Sequence, residues 1–512
     1  MDAAREQWGT RLGFLLAAVG SAVGLGNIWR FPYVAWENGG GAFFVPYLFA
    51  LLTAGIPLLV LEYAIGHRFR GSAPLSLRRL HPRAEWIGWW QVAVCFLIAS
   101  YYAVVIAWAA GYAWFSVGTQ WGEDPEAFFF ESYLGVTEPG TLGGVRLGVL
   151  LPLVLVWGLT LAVLSGGIRR GIERANRVLI PLLLLMFLVI VIRAVTLEGS
   201  AVGLEALFEP DWSSIGDASV WVAAYGQIFF SLSIGFAIMI TYASYLPRDG
   251  DLTGNAFIAG FSNASFELLA GIGVFAAIGF LATTRDIGVD EVARDGIGLA
   301  FVIFPEIISQ LPGPSGLYGV LFFGSLVLAG ISSLISITQT YIAALQEKFE
   351  LRRRTAVGVA GGGTALVSVT YATGGGLNTL DVVDRFINNF GVAAVGLVEV
   401  VVIAWLIREL PRLRTHADGV SDLRLGRWWV ISLGAVTPLV LGWMTIDNLR
   451  TEFDEPYGDY PLMFLTVLGW GLAALALVVG IAMSRARWPD GLALDVPGDP
   501  SDQSSNRPEG RP

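Results

Sequence analysis

The chain has one cysteine, one lysine and three histidines in 512 residues. Cys95 has no second thiol to pair with, so a disulfide within the chain and a cysteine-rich metal site are both excluded. His67, His81 and His416 fall in loop-like stretches, which leaves no histidine cluster for a buried metal. With no histidine, cysteine or paired carboxylates poised for catalysis, an enzyme is not expected. Charge is also scarce. Only 14% of the residues are charged and 54% are hydrophobic, where soluble domains carry roughly a quarter charged. The mean hydropathy is +0.63. These values exclude a water-soluble globular chain and indicate a polytopic membrane protein.

The stretch MDAAREQWGTRLG is charged on both sides of Trp8, and the apolar run after it lacks a small-residue cleavage site. The first segment is therefore expected to be retained as a span. Apolar segments of spanning length fall at 11–37, 42–66, 86–117, 147–164, 170–195, 219–246, 255–284, 316–348, 355–373, 379–407, 427–449 and 460–484, which predicts an all-α protein of twelve spans.

The connecting loops alternate in charge. Basic residues gather at Arg68, Arg70, Arg78, Arg79 and Arg83; at Arg169, Arg170, Arg174 and Arg177; at Lys348 and Arg352 to Arg354; and at Arg408, Arg412, Arg414, Arg424 and Arg427. The intervening loops are acidic: Glu123, Asp124, Glu126, Glu131 and Glu138; Glu198, Glu205, Glu209, Asp211 and Asp217; Glu452, Asp454, Glu455 and Asp459. The positive-inside rule then places both termini in the cytoplasm of a plasma-membrane protein. The net charge of −10 with a single lysine fits adaptation to high salt, and high genomic GC content favours arginine over lysine as well. The segment 485–512 is expected to be an acidic, disordered cytoplasmic tail.

Two spans are interrupted. Span 1 contains AVGSAVGLGNIWRFP, with Gly20, Gly24, Gly26, Asn27 and Arg30 where lipid-compatible side chains belong. Span 6 contains YGQIFFSLSIGFAIMITYASY, broken by Ser231, Ser233 and Gly235. Each break opens a block of five spans. Five is odd, so the second block crosses the membrane inverted, the arrangement that marks the central site of a transporter. An unwound helix at the midplane frees N–H and C=O groups that cost several kcal/mol each in hydrocarbon unless something polar satisfies them. Freed N–H groups suit an anion and freed carbonyls suit a cation.

At these residues, and at AGISSLISITQ, the sequence resembles the neurotransmitter:sodium symporters, particularly their bacterial amino-acid branch, over about residues 5–485. The resemblance implies two inverted five-helix repeats at 11–195 (spans 1–5) and 219–407 (spans 6–10), with broken spans 1 and 6. They are joined by an extracellular loop at 196–218, preceded by a cytoplasmic segment 1–10, and followed by two extra spans at 427–484. The implied function is sodium-coupled symport of a hydrophobic or neutral amino acid by alternating access. A betaine-like zwitterion, or a substrate sensor of the same fold, is the alternative. The oligomeric state is not implied.

The resemblance also implies site residues. A first sodium would sit on the Ala22 carbonyl, Asn27, Ser231, Asn263 and the substrate carboxylate. A second would sit on the carbonyls of Gly20, Val23 and Ala329 and the hydroxyls of Ser332 and Ser333. Oxygen ligands suit a hard cation. Substrate would contact Ala22, Leu25, Gly26, Ile98, Tyr102, Phe230, Ser231, Ser233, Phe236, Ser333 and Ile337. Leu25, Gly26 and Tyr102 would hold its carboxylate, and Ile98, Phe236 and Ile337 its side chain. Monoamine members carry aspartate where this chain has Gly24, so the substrate is expected to bring its own carboxylate. Arg30 and Asp384, with Gln227 beside them, resemble the extracellular gate; Arg5 and Glu347, with Trp8 and Tyr245, resemble the cytoplasmic one. Glu62 and Glu399 are expected to be structural. Glu267, four residues beyond Asn263 and so on the same helix face, replaces the chloride of animal members, which implies chloride independence and proton countertransport.

Overall fold

In a computed structural model of the chain, residues 6–490, Leu492 and Leu494 are described. Arg5 and most of the acidic tail lie outside them. Among the described residues, ten helices are long and apolar enough to cross a membrane: Gly41–Phe69, Pro82–Gly118, Leu147–Ser165, Ile168–Val195, Leu252–Arg285, Ser315–Phe349, Arg353–Ala372, Gly376–Ile407, Arg427–Asp454 and Leu462–Arg485. A bent pair, Arg11–Ala22 and Leu25–Glu37, adds the first span with a 57° turn at its break. Two short helices, Ala218–Ser231 and Ile238–Ala243, flank the second break. This is consistent with twelve spans, each within a few residues of its sequence-based position. The fold is that of two five-helix repeats with broken first helices, plus two further helices.

Span 1 begins where Thr10 accepts a hydrogen bond from Gly13 N at 2.9 Å, an N-cap contact. It breaks at Val23, whose carbonyl leaves the helical direction at ψ 95°. Gly24 then caps a new helical turn, and the Asn27 side chain reaches back to Gly24 N at 2.8 Å, as in a capping box.

The second break is sharper. Ser233, Gly235 and Ala237 all have positive φ, at 54°, 79° and 59°. Two of them are not glycine, a conformation held only where the surroundings over-determine it. Buried groups supply that hold. Glu62 accepts from Gly235 N at 2.8 Å, and the Cys95 thiol donates to the Phe236 carbonyl at 2.9 Å. The structural expectation for Glu62 and Glu399 agrees with this geometry, since Glu399 accepts from Gln91 at 2.7 Å.

The core lies around spans 3, 7 and 8. About three quarters of their most apolar windows are buried, against 22% for spans 5 and 12. The single lysine closes the arginine-rich end of this core. Lys348, fully buried, donates to Glu85 Oε1 at 2.9 Å and to the Ala486 carbonyl at 2.7 Å. Its Nζ also lies 4.2 Å from the ring centroid of Trp488.

His67 and His416 are not in loops. His67 is in the last turn of the helix Ile56–Phe69, His416 is in the helix Leu410–Val420, and their ring nitrogens meet at 2.9 Å. The Pro247 carbonyl lies 2.7 Å from His67 Nε2. Among the described residues, no group of three or more His, Cys, Asp or Glu side chains is arranged to hold a metal.

Candidate functional site

The two breaks face each other. Ser233 Oγ donates to the Ser21 carbonyl at 2.9 Å, which ties break to break. Between them lies a cavity of about 540 Å³ that extends past Arg30 to Asp295, Asp381 and Tyr457. All eleven residues expected to contact substrate line it: Ala22, Leu25, Gly26, Ile98, Tyr102, Phe230, Ser231, Ser233, Phe236, Ser333 and Ile337. At its deep end Leu25 N points at the Tyr102 hydroxyl, 3.4 Å away. Leu25 and Gly26 open a new helical turn, so their N–H groups have no helical acceptor. Gly24 leaves the cavity without a charged side chain there; a Cβ would approach Tyr102 Oη at 3.2 Å and Ser333 Oγ at 3.3 Å.

Two clusters of oxygen atoms flank this end. In the first, Asn27 Nδ2 donates to Asn263 Oδ1 at 2.8 Å and Asn263 Nδ2 to Ser231 Oγ at 3.0 Å, with all three residues buried. In the second, Ser332 Oγ donates to the carbonyls of Gly20 at 2.7 Å and Ala329 at 2.8 Å, and Ser333 Oγ reaches Gly20 O at 3.3 Å. Val23, buried beside them, turns its carbonyl out of the helix. Both sets are neutral amide, hydroxyl and carbonyl oxygens, a donor chemistry suited to a hard monovalent cation.

One buried residue near the second cluster was not expected from the sequence. Asn176, on span 5, is fully buried with its Oδ1 unpartnered, and that oxygen would sit 2.7 Å from a Cβ at Gly20. A lone asparagine in a leucine-rich span was its only signal.

Glu267 is fully buried on the helix that carries Asn263. It accepts from the Tyr47 hydroxyl and, at 2.6 Å, from Gln227 Nε2. Gln227 is thus engaged with Glu267 and does not line the cavity beside Arg30. The Arg30 guanidinium lies 5.1 Å from the Phe230 ring centroid, and no ion pair joins it to Asp384, which instead accepts from Asn388 at 2.9 Å. Asp295, on the loop before the helix Gly296–Gln310, faces the same guanidinium. Burial raises its carboxyl above the usual range and Arg30 works against that rise.

The opposite, arginine-rich end is closed. Trp8 is buried, donating from Nε1 to the Tyr242 carbonyl at 2.9 Å and from its backbone to the Tyr245 carbonyl at 3.1 Å. Glu6 accepts from Ile168 N at 2.9 Å. Glu347 accepts from Ser72 N at 2.8 Å and Ser72 Oγ at 2.6 Å. Its expected partner Arg5 lies outside the described residues. Tyr245 accepts from Gln339 at 3.1 Å.

Comparison with known proteins bears on this geometry. A model of the sodium:neurotransmitter symporter family matches residues 5–129 and 122–489. An uncharacterized sodium-dependent transporter of Methanocaldococcus jannaschii is 42% identical over 484 residues, covering 94% of this chain and 98% of the relative. The sodium-dependent dopamine transporter of Bos taurus is 29% identical over 520 residues, covering 93% and 73%. Among solved structures, that of MhsT in complex with L-phenylalanine superposes with a TM-score of 0.72 at 32% identity, covering 87% of this chain and all of that one.

Proposed function

Because the chain belongs to the sodium:neurotransmitter symporter family, whose members are multi-pass sodium-coupled transporters, we propose that it takes up neutral or hydrophobic amino acids with sodium. The observation that carries this reading is the cavity at the facing breaks. It has backbone donors but no side-chain charge at its deep end, and two flanking clusters of neutral oxygens. A zwitterion fits that end: its carboxylate meets the Leu25 and Gly26 N–H groups and the Tyr102 hydroxyl. Its ammonium meets the carbonyls of Ala22, Phe230 and Ser231 and the Ser233 hydroxyl. Ile98, Phe236 and Ile337 receive an apolar side chain. The relative solved with L-phenylalanine supports that choice.

In this mechanism the substrate carboxylate completes the shell of the first sodium beside Asn27, so ion and substrate bind as a unit. The second sodium, between Gly20 and Ser332, ties span 1 to span 8. The arginine-rich face is cytoplasmic, Trp8 plugs the inward route, and Arg30, Asp384 and the Phe230 ring control the outward one. Alternating access consists of exchanging the open and closed ends around the breaks. Glu267 keeps a carboxylate beside the first sodium shell, so transport needs no chloride, and the same group carries a proton outward on the return.

The test is binding of radiolabelled L-phenylalanine to the purified protein with sodium or with potassium, followed by uptake into proteoliposomes with chloride or gluconate. Sodium-dependent binding and equal uptake in both anions are expected. Absence of sodium-dependent binding by any amino acid in a competition panel refutes the substrate class, and uptake that requires chloride refutes the role of Glu267.

A further inference from the structure

A second cavity, of about 470 Å³, opens at the arginine-rich face between Gly9–Thr10 and the hairpin that joins spans 4 and 5. Its walls are Arg169, Arg170, Arg174 and Arg177, with Glu173 at the base. Glu173 is already engaged: it accepts from Gly9 N at 2.6 Å, Thr10 Oγ1 at 3.0 Å and Arg177 Nη2 at 2.6 Å. Among the described residues, its one ion pair is with Arg177. Arg169, Arg170 and Arg174 are exposed and make no hydrogen bond or ion pair with any described residue. Four guanidinium groups share this small cleft with one carboxylate, so an anion entering it relieves their mutual repulsion. A topology signal needs arginines on this face; it does not need them gathered around a cavity.

The surface that leads away from the cleft identifies the anion. From Arg174 the same helix face continues through Val178, Leu182 and Leu185, which are 63%, 41% and 60% exposed and stand at successive turns. Span 5 is one of the least buried in the molecule. A ladder of outward apolar side chains that ends in guanidinium groups reproduces, in reverse, the order of a phospholipid from acyl chain to phosphate, and basic clefts of this kind bind anionic headgroups. We propose that the cleft is a binding site for the phosphate headgroup of an anionic phospholipid, with its acyl chains along Val178–Leu185. Gly9 and Thr10 form the opposite wall, so a bound headgroup bridges the span 4–5 hairpin to the segment that holds Trp8 over the closed end of the substrate cavity. The lipid would favour the conformation in which that end is shut.

The test uses the full chain in detergent, titrated separately with phosphatidylglycerol, phosphatidylcholine and inorganic phosphate, with binding read by native mass spectrometry and by melting temperature. Phosphatidylglycerol should bind and raise the melting temperature, and phosphatidylcholine should not. Each arginine near an anionic headgroup contributes about fivefold in affinity, so R170Q should weaken phosphatidylglycerol binding about fivefold and R169Q/R170Q/R174Q on the order of 100-fold. Sodium-dependent phenylalanine binding in phosphatidylcholine micelles checks that the triple variant is folded; if it is not, the R170Q titration decides. Undiminished phosphatidylglycerol binding in the variants overturns the site. An equal shift with inorganic phosphate alone overturns the lipid in favour of a free anion.

Discussion

Asn27→Ala separates a shared ion–substrate shell from two independent sites. The Asn27 amide is buried and makes two contacts: its Oδ1 accepts from Gly24 N at 2.8 Å and its Nδ2 donates to Asn263 Oδ1 at 2.8 Å. Truncation strips the break of its back-reaching cap and takes partners from the half-buried Gly24 N–H and the buried Asn263 Oδ1. Each such group costs ~1–3 kcal/mol, so the fold should lose ~2–6 kcal/mol and melt at a lower temperature. The variant also removes one of the oxygens available to the first sodium. A lost hydrogen-bond-like contact to a charged group is worth ~1.5–3 kcal/mol, or about 10- to 150-fold in sodium affinity. If the substrate carboxylate shares that sodium, substrate affinity at fixed low sodium must fall by the same factor and recover as sodium is raised, because coupling between two ligands is reciprocal. The assay is a matrix of phenylalanine binding isotherms across sodium concentrations, with a melting curve at each. A loss of substrate affinity that excess sodium does not repair, or an unchanged sodium half-saturation, refutes the shared shell.

Two further outcomes follow from local geometry. Gly20→Ala would put a Cβ 2.6 Å from Ile180 Cδ1 and 2.7 Å from Asn176 Oδ1. Overpacking of this degree costs ~1–3 kcal/mol, and because it shifts the Gly20 carbonyl, a lowered melting temperature should come with a weakened sodium dependence; neither change would mean that spans 1 and 5 part freely here. His416, outside the spans, is held neutral by burial, with the neighbouring His67, Arg68 and Arg70 adding to the effect, so its pKa falls from the ordinary 6.5 to about 4. The unfolded chain binds this proton first, so stability should fall as pH drops from 6.5 toward 4. Melting curves at pH 7 and pH 5 should show the loss, and His416→Gln should reduce it.

The spans and their breaks were legible because membrane solvation leaves few ways to place Gly, Ser and Asn in an apolar run, so each such residue carries information. The cavity lining was legible for the same reason, read through a family pattern specific to those few positions. The positive φ of Ser233 and Ala237 was not, since neither residue type announces a left-handed backbone; tertiary contacts from Glu62 and Cys95 impose it. His67 and His416 read as loop residues because their helices end in charge-rich sequence, where local pattern is weak and packing decides. The bond of Gln227 to Glu267 was not legible, because spacing along span 6 does not say which neighbour the side chain meets. Asn176 gave no signal beyond its polarity, because what distinguishes it is an approach to Gly20 from a distant part of the chain.

The enclosure of Lys348 has a chemical consequence. It is the only lysine in the sequence, and its amine is walled in by Glu85, the Ala486 carbonyl and the Trp488 ring. Amine-directed cross-linkers and fluorophores, which modify most proteins at many surface sites, find no exposed lysine here. Reagent can reach this amine only when the chain beyond span 12 lifts away from spans 3 and 8. Acylation of Lys348, resolved by peptide mapping from that of the N-terminal amine, thus records whether the end of span 12 is seated.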